Sequence, residues 1–383
     1  MSSTNKSSLL FSELTLRGIT LKNRIVVSPM CTYSCEDGMV NDWHLVQYGS
    51  FATGGAGLVV CEATGVEARG RLAPQCPGLW KDEQIEPWSR VTRFLKSQGC
   101  VPGIQIAHSG RKGSTVPTWV GRNSIHDKDG GWQTIGPTAE AFGADVWKVP
   151  KEATVEDIHQ IKEAFVAAAN RAVRAGFQVI ELHFAHGYLV STFLSSATNK
   201  RTDSYGGSLE NRMRLGLEIA EGVRKTLPEA VVLGVRVSVT DYTDNGWDVT
   251  QTQEFAKRLK ALNIDFLDCS SGGLVSDVNY NCLNTNEVHI KSAALIQREV
   301  GIPTGAVGKI TDPHFAEQIL QEGGATLIFI GRAFLNNPHW PYEAADALAS
   351  EHTFKYPDQY DWCIGWKGFA KWRKDIHKDR NNN

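Results

Sequence analysis

Short apolar runs recur along the chain and predict its strands. Most of them are nearly continuous in hydrophobicity rather than alternating, as in IVVSPM (25–30) and FQVIELHF (177–184). Strands that are buried on both faces of a parallel sheet have this pattern. We identify runs of this kind at residues 25–30, 58–64, 101–107, 177–184, 231–238, 266–272, 302–308 and 326–332.

Helical patterns lie between these runs. The clearest covers residues 154–176, where a capping pair, Thr154 and Asp157, precedes apolar residues that recur at helical spacing. Residues 250–253 and the Asp-Pro pair at 312–313 predict the starts of two later helices. Strands and helices therefore alternate along most of the chain.

This alternation predicts the α/β class and a (β/α)₈ TIM barrel in a single domain. A doubly wound open sheet is the alternative, but no G-x-G-x-x-G motif follows a strand, and the glycines of 54–57 precede one. Residues 108–153 are too long for a plain connection, so we expect an insertion after strand three, over the barrel mouth. We assign 1–345 to the barrel and 346–383 to a C-terminal extension.

The charge of the chain changes this picture little. The chain has 383 residues and a formal net charge of −2, and 42% of it is hydrophobic, which excludes a disordered polymer. Near-neutral charge gives no drive towards nucleic acid. Residues 364–383 carry six Lys/Arg and two Asp, a net charge of +4, which leaves −6 for the other residues. We assign this basic tail to subunit contacts or to a solvated end.

The cysteines and the apolar runs bear on location. The eight cysteines lack the spacing of a zinc site or of a small disulfide scaffold, so we expect reduced thiols in a cytoplasmic protein. The first residues lack the apolar stretch of a signal peptide, and no apolar run is long enough to span a membrane. We expect neither secretion nor membrane insertion.

Polar residues at the strand ends indicate where chemistry takes place, since barrel active sites lie at the carboxyl ends of the strands. Gly308, Gly331 and Arg332 end the last two strands and suit a phosphate group, although the glycines could also serve only to turn the chain.

A second group, His183, His186 and Tyr188, ends strand four. These side chains could act on a proton or receive a negative oxygen, and buried structural histidines are the alternative. No further ligand stands at a familiar zinc spacing, so we expect no metal. A phenol has a pKa of about 10, so Tyr188 suits proton donation.

Several motifs together carry a specific resemblance. In chain order they are SPMCTY (28–33), EAT (62–64), Gln105, ELHFAHGYL (181–189), NKRTDSYGGSLENR (199–212), VRVS (235–238), GAVG (305–308) and FIGR (329–332). This set resembles the old yellow enzyme family of FMN-dependent ene-reductases. Cys31 and the His-x-x-His pair are similar to the thermophilic-like branch of that family.

The resemblance implies an FMN site across the barrel mouth. Gly308, Gly331 and Arg332 would hold the phosphate, while Gln105 and Arg236 would contact the pyrimidine edge. The other implied FMN residues are Ser28, Pro29, Met30, Cys31 and Ala63. Cys31 would tune the flavin potential, and a small buried apolar residue is the alternative reading of this position.

The resemblance also implies a reaction. NADPH, or NADH, would reduce the flavin, and an activated alkene with a carbonyl or nitro group would be the second substrate. His183 and His186, with Tyr33, would bind the substrate oxygen, and Tyr188 would donate the proton. A homodimer is expected, but the Arg that this branch supplies from the neighbouring subunit has no match at 359–363, where Trp362 or Tyr360 could replace it.

Three other functions remain open at this point. A dienoyl-CoA reductase or an amine dehydrogenase would share the barrel, but we expect such enzymes to continue into iron–sulfur and nucleotide-binding regions, and this chain lacks clustered cysteines. A sugar-phosphate aldolase or isomerase would need a Schiff-base lysine or a carboxylate base at the strand ends. A flavin-binding barrel with a sensing role would not need the His and Tyr cluster.

Overall fold

The strands of the barrel lie where the apolar runs predict them. The computed structural model describes residues 8–276, 278, 285–350 and 354–364, so Cys282 and nearly all of the basic tail lie outside the described residues. The strands are β1 (Leu14–Leu16), β2 (Ile19–Leu21), β3 (Ile25–Val27), β4 (Leu58–Gly65), β5 (Val101–Ala107), β6 (Ile135–Gly136), β7 (Lys151–Glu152), β8 (Val179–Phe184), β9 (Val232–Ser238), β10 (Phe266–Ser270), β11 (Thr304–Val307) and β12 (Leu327–Ile330).

Strands β3, β4, β5, β8, β9, β10, β11 and β12 pair in parallel in this order, and β12 pairs with β3 to close the barrel. The predicted (β/α)₈ fold is therefore confirmed. The α-helices are α1 (Asp42–Thr53), α2 (Ile85–Ser97), α3 (Val155–Arg174), α4 (Leu189–Leu194), α5 (Leu209–Thr226), α6 (Val249–Ala261), α7 (Thr285–Val300), α8 (Pro313–Gln321), α9 (Arg332–Asn336), α10 (Trp340–Ala347) and α11 (Asp358–Ile364).

Helix starts follow their caps. Thr154 caps α3 and its side chain accepts from the Asp157 backbone N–H, as predicted, and Asp312 caps α8. The prediction at 250–253 is wrong in position. Helix α6 begins at Val249 because Asp248 accepts from the Gln251 backbone N–H.

Strand β8 shows how the barrel interior is built. Ile180, Leu182 and Phe184 pack in the outer core against the helices, whereas Val179 belongs to a separate interior cluster. Because successive side chains alternate, Glu181 and His183 share the inward face with Val179. The interior is thus apolar at the amino end of the strands and polar at the carboxyl end, where the site lies.

The amino end of the barrel is closed by the hairpin of β1 and β2. Leu16 and Leu21 of this hairpin pack with Val179 and Phe266 in the interior cluster. A Cβ at Gly234 would lie 2.1 Å from the Phe266 ring, so the ring fills the space that this glycine leaves. The hairpin escaped the sequence analysis because its strands have three residues each.

The predicted insertion after strand three connects β5 to α3 and contains the short parallel pair β6 and β7. It also contains two short 3₁₀ turns, Gly110–Lys112 and Asp127–Asp129. Among the described residues, no helix has the length and apolar character that crossing a bilayer requires.

Candidate active site

The first cavity opens at the carboxyl ends of β3, β11 and β12 and has a volume of about 550 Å³. Its lining includes a group of predicted cofactor residues: Ser28, Pro29, Met30, Arg236, Gly308, Gly331 and Arg332. Cys31, Ala63 and Gln105 do not belong to this lining. The structure therefore brings the predicted phosphate corner and part of the predicted ring wall into one cavity.

The corner at Gly308 suits an anion. Gly308 has a φ of 122°, a conformation that side-chain-bearing residues rarely adopt. Lys309 and Arg332 line the same corner and form no ion pair with any described residue. The buried Ser28 Oγ also has no hydrogen-bond partner within the described residues. Positive charge and an unpaired donor thus face the cavity.

A layer of polar side chains lies inside the barrel next to this cavity. Gln105 Nε2 donates to Glu181 Oε1 at 2.7 Å, and Arg236 Nε lies 3.0 Å from Asp268 Oδ2. The Arg236 to Asp268 contact is an ion pair by distance but is not aligned as a hydrogen bond. Glu181 and Asp268 are fully buried.

His183 stands directly above this layer, in register with Arg236 on the neighbouring strand. Its Nδ1 accepts a hydrogen bond from the Ala185 backbone N–H at 3.3 Å. A neutral imidazole that accepts at Nδ1 carries its proton on Nε2. His183 is therefore a hydrogen-bond donor through Nε2.

His186 is held in a strained turn beside His183. Its φ is 62°, which is uncommon outside glycine, and its backbone N–H donates to Ser238 Oγ at 2.9 Å. Its Nε2 lies 2.7 Å from Ser270 Oγ, and the His186 carbonyl accepts from Lys112 Nζ at 2.8 Å. Ser238 and Lys112 thus hold the His186 backbone, and Ser270 holds its ring.

The two histidines and Tyr188 form one cluster. The His183 ring centroid lies 5.1 Å from that of His186 and 4.9 Å from that of Tyr188. Burial, reinforced by the charge of Arg236, lowers the pKa of both imidazoles well below 6.5. Burial raises the pKa of the Tyr188 phenol well above 10. At neutral pH the cluster therefore consists of neutral imidazoles and a protonated phenol.

A second cavity, of about 470 Å³, adjoins Tyr188 under the insertion. Tyr33 and Lys112 also line it, with Phe142 and Trp147 of the insertion as its aromatic wall. Lys112 Nζ lies 5.1 Å from the Tyr188 ring centroid. Burial lowers the pKa of the Lys112 ammonium to about 7. The second cavity therefore combines an aromatic wall with the phenols of Tyr33 and Tyr188 and the amine of Lys112.

Cys31 lies beside Ala63, whose backbone hydrogen-bonds its sulfur, and beside the thiol of Cys76. The Cys76 contact and burial together raise the pKa of Cys31 well above 9.0, so it is a protonated thiol at neutral pH. Glu62 anchors the segment, because its carboxylate accepts from the Thr32 backbone N–H at 2.8 Å. The pairing of β4 with β5 shifts register between Cys61 and Thr64, the stretch that contains Glu62 and Ala63.

Four site residues escaped the sequence analysis: Lys112, Glu181, Asp268 and Ser270. Strand alternation could have found Glu181, since it lies two residues from His183 on one strand. Asp268 and Ser270 likewise follow Phe266 at intervals of two residues. No sequence pattern indicates Lys112, which reaches the site only because the insertion folds back over the barrel.

Comparison with known proteins decides the family. Residues 9–351 match the family model described as NADH:flavin oxidoreductase / NADH oxidase. The chain belongs to this family.

Two curated family relatives resemble the chain over nearly its whole length. An NADH:flavin oxidoreductase of Gibberella zeae is 41% identical over 380 residues, which cover 95% of this chain and 91% of the relative. An NADPH dehydrogenase of Bacillus subtilis is 42% identical over 360 residues, with coverages of 93% and 99%. Among solved family structures, the old yellow enzyme homologue of Zymomonas mobilis superposes with a TM-score of 0.72 at 28% identity, covering 88% of this chain and 92% of that one.

The family membership identifies the general activity. The protein is an FMN-dependent NADPH oxidoreductase of the old yellow enzyme type. The first cavity fits FMN in its chemistry, because two cations and the orphaned Ser28 hydroxyl face the corner where a phosphate would lie. The predicted enzyme class and cofactors are thus confirmed.

Proposed function

We propose that this enzyme reduces the activated carbon–carbon double bond of α,β-unsaturated carbonyl and nitro compounds. The observation that carries the proposal is the cluster of His183, His186 and Tyr188, which lies between Arg236 of the first cavity and the second cavity, although neither histidine lines a cavity. His183 pairs in register with Arg236 of the first cavity, and Tyr188 lines the second. FMN, when bound, supplies the hydride that is transferred to the alkene.

The FMN contacts are part of the proposal. We assign the phosphate to Gly308, Gly331 and Arg332, and the pyrimidine edge to Gln105 and Arg236. The remaining contacts with the ring system are assigned to Ser28, Pro29, Met30, Cys31 and Ala63. Support for these assignments is that most of them line the first cavity and that Ala63 contacts Cys31.

His183 and His186 would bind the carbonyl or nitro oxygen of the substrate, with Tyr33 as a further contact. The His183 Nε2–H is available because Nδ1 is occupied by the Ala185 backbone. A neutral donor suits this role, since its hydrogen bond strengthens as negative charge develops on the oxygen. The lowered pKa values keep both rings neutral at the working pH.

Tyr188 would donate the proton to the α-carbon. Its raised pKa keeps the phenol protonated at neutral pH, and its ring faces the second cavity, where the alkene would lie. The phenol is an acid that reacts only when a strongly basic, carbanion-like carbon develops. Protonation would therefore accompany or follow transfer of the hydride to the β-carbon.

An anaerobic experiment tests the proposed function. NADPH should bleach the flavin absorbance of the purified holoenzyme, and cyclohexenone or a nitroalkene should restore it. If the flavin is reduced by NADPH but stays reduced with both kinds of alkene, the proposed substrate class is wrong.

We also propose that the chain forms a homodimer in the cytoplasm. Trp362 and Tyr360 on α11 are exposed and offer aromatic contacts to a second copy. The cysteines of the described residues are all unpaired, which suits a reducing compartment. Native mass spectrometry of the wild type and of Trp362→Ala measures the oligomeric state, and a monomeric wild type would contradict the dimer.

A further inference from the structure

The polar layer inside the barrel holds more acid than base. Glu181 of β8 and Asp268 of β10 are 0% exposed, and Arg236 of β9 between them is 7% exposed. One guanidinium thus faces two carboxyl groups in a closed interior. Two buried carboxylates beside one cation would leave a net negative charge away from water, which is energetically costly.

Hydrogen bonds do not compensate for this charge. Glu181 Oε1 accepts from Gln105, but Glu181 Oε2 and both oxygens of Asp268 lack a hydrogen-bond partner within the described residues. Arg236 Nε lies 3.0 Å from Asp268 Oδ2. Orphaned carboxyl oxygens of this kind are satisfied when one group carries a proton and donates it.

The groups that face Glu181 come from both strands that pair with β8 and from the strand beyond β9. Gln105 lies on β5, Arg236 on β9 and Asp268 on β10, and His183 is the next inward residue on β8 itself. Burial raises the pKa of Glu181, and Asp268 raises it further, while Arg236 lowers it. Burial likewise raises the pKa of Asp268, and Arg236 opposes that rise.

We propose that Glu181 and Asp268 form a proton-holding pair for the FMN site. The pair keeps one proton between its two carboxyl groups in the oxidised enzyme around neutral pH. At higher pH the oxidised enzyme loses this proton, and reduction of the flavin draws it back from solvent. The inference rests on the proposed contact of Arg236 and Gln105 with the pyrimidine edge of FMN.

Flavin reduction and protonation of the carboxyl pair are coupled because both act on the charge of Arg236. Reduction adds negative charge to the pyrimidine edge, and Arg236 is the cation that both this edge and Asp268 use. The added charge disfavours ionised Glu181 and Asp268, so their proton affinity rises. The balance is two electrons and one proton to the flavin, plus one proton from water that forms an O–H bond on the carboxyl pair.

Potentiometry of the wild-type holoenzyme tests this directly. Midpoint potentials measured from about pH 6 to about pH 10 should show one proton taken up per two electrons at the acidic end, rising to two at the alkaline end. For a two-electron couple this is a change of slope from about 30 to about 60 mV per pH unit. Ionisation of the reduced flavin at N1 decreases the slope with rising pH, whereas ionisation of the oxidised flavin at N3 increases it at the alkaline limit of this range. The variants therefore have to separate the carboxyl pair from the flavin.

Variants assign the second proton to the pair. Glu181→Gln keeps an acceptor for Gln105 and should hold the stoichiometry at one proton throughout. Asp268→Asn should move the change of slope to lower pH, because it removes a charge that favours protonation of Glu181. Asp241→Asn is the matched control, since Asp241 is a buried carboxylate of another network that accepts from the Trp247 backbone N–H at 2.7 Å, and it should behave like the wild type.

Two results would overturn the proposal. One is a wild-type enzyme that takes up a single proton per two electrons over the whole range, and this result does not depend on whether any variant folds. The other is a change of slope that persists in Glu181→Gln. Both leave the proposed reduction of alkenes untouched, since turnover of cyclohexenone by the wild type tests that function separately.

Discussion

His183→Ala is the sharpest test of the proposed substrate site. The imidazole is neutral at pH 7 because burial and Arg236 lower its pKa, and it offers one donor, Nε2–H, because Nδ1 accepts from Ala185. The variant removes this one donor and leaves His186 in place. Loss of one donor to a developing oxyanion costs about 10²–10³ in rate, or about 2.7–4 kcal/mol.

The measurement separates the two half-reactions. Enzyme reduced with one equivalent of NADPH is mixed anaerobically with cyclohexenone in a stopped-flow instrument, and the return of flavin absorbance gives the oxidative rate. We expect this rate to fall by the stated factor and the affinity for phenolic ligands to weaken. The FMN content should stay unchanged, because His183 does not line the first cavity.

His183→Gln is the matched variant, since its amide nitrogen can donate where Nε2–H does. It should recover part of the lost rate. An oxidative rate for His183→Ala equal to that of the wild type would refute the assignment. The assignment would also be refuted if only the rate of flavin reduction by NADPH fell, because that result would place His183 in the nicotinamide step.

Four further predictions follow from the same geometry. Tyr188→Phe should slow the oxidative half-reaction by about 10²–10⁴ in stopped-flow assays and spare reduction by NADPH. Arg332→Gln removes a charged contact worth about 1.5–3 kcal/mol, so equilibrium dialysis should show FMN binding about 10- to 100-fold weaker. Thr154→Ala should lower the free energy of unfolding by about 1 kcal/mol in urea titrations, without changing turnover.

The fourth prediction concerns Lys112, whose pKa is about 7 in the folded protein, against an ordinary value of 10.5. Between these two pH values the unfolded chain binds more protons than the folded protein, so the free energy of unfolding should rise with pH. Thermal melts of Lys112→Met should lack that rise, and a wild type whose melting temperature does not rise across this range would contradict the shift.

The barrel could be predicted because its strands are buried on both faces, so that each strand appears in the sequence as a continuous apolar run. Ile180 and Val179, for example, face opposite sides of β8 and are both buried. The strand can therefore be recognised from its apolar run without knowing which strands pair with it. The hairpin of β1 and β2 could not be predicted in this way, since three residues do not establish a period. The start of α6 was misplaced because Asp248 caps more strongly than Thr250, and both fit the local pattern.

The site divides into a part that sequence can reveal and a part that it cannot. His183 and Arg236 are fixed by strand register, so their proximity follows once the barrel is assumed. Lys112 reaches His186 only because of the way the insertion folds, and no hydrophobic periodicity in the sequence predicts that fold. The assignment of each residue to FMN or substrate stays a prediction.

This division also separates chemistry from specificity. The donors and the proposed proton source are attached to strand ends that the barrel holds rigidly, and changing them alters the reaction itself. Phe142 and Trp147 reach the second cavity from the insertion, stacked edge to face at 4.8 Å, and touch no residue of the polar layer in the described contacts. Substitutions there should therefore change which alkenes fit and leave the flavin potential unchanged, whereas changes at Glu181 or Asp268 should do the reverse.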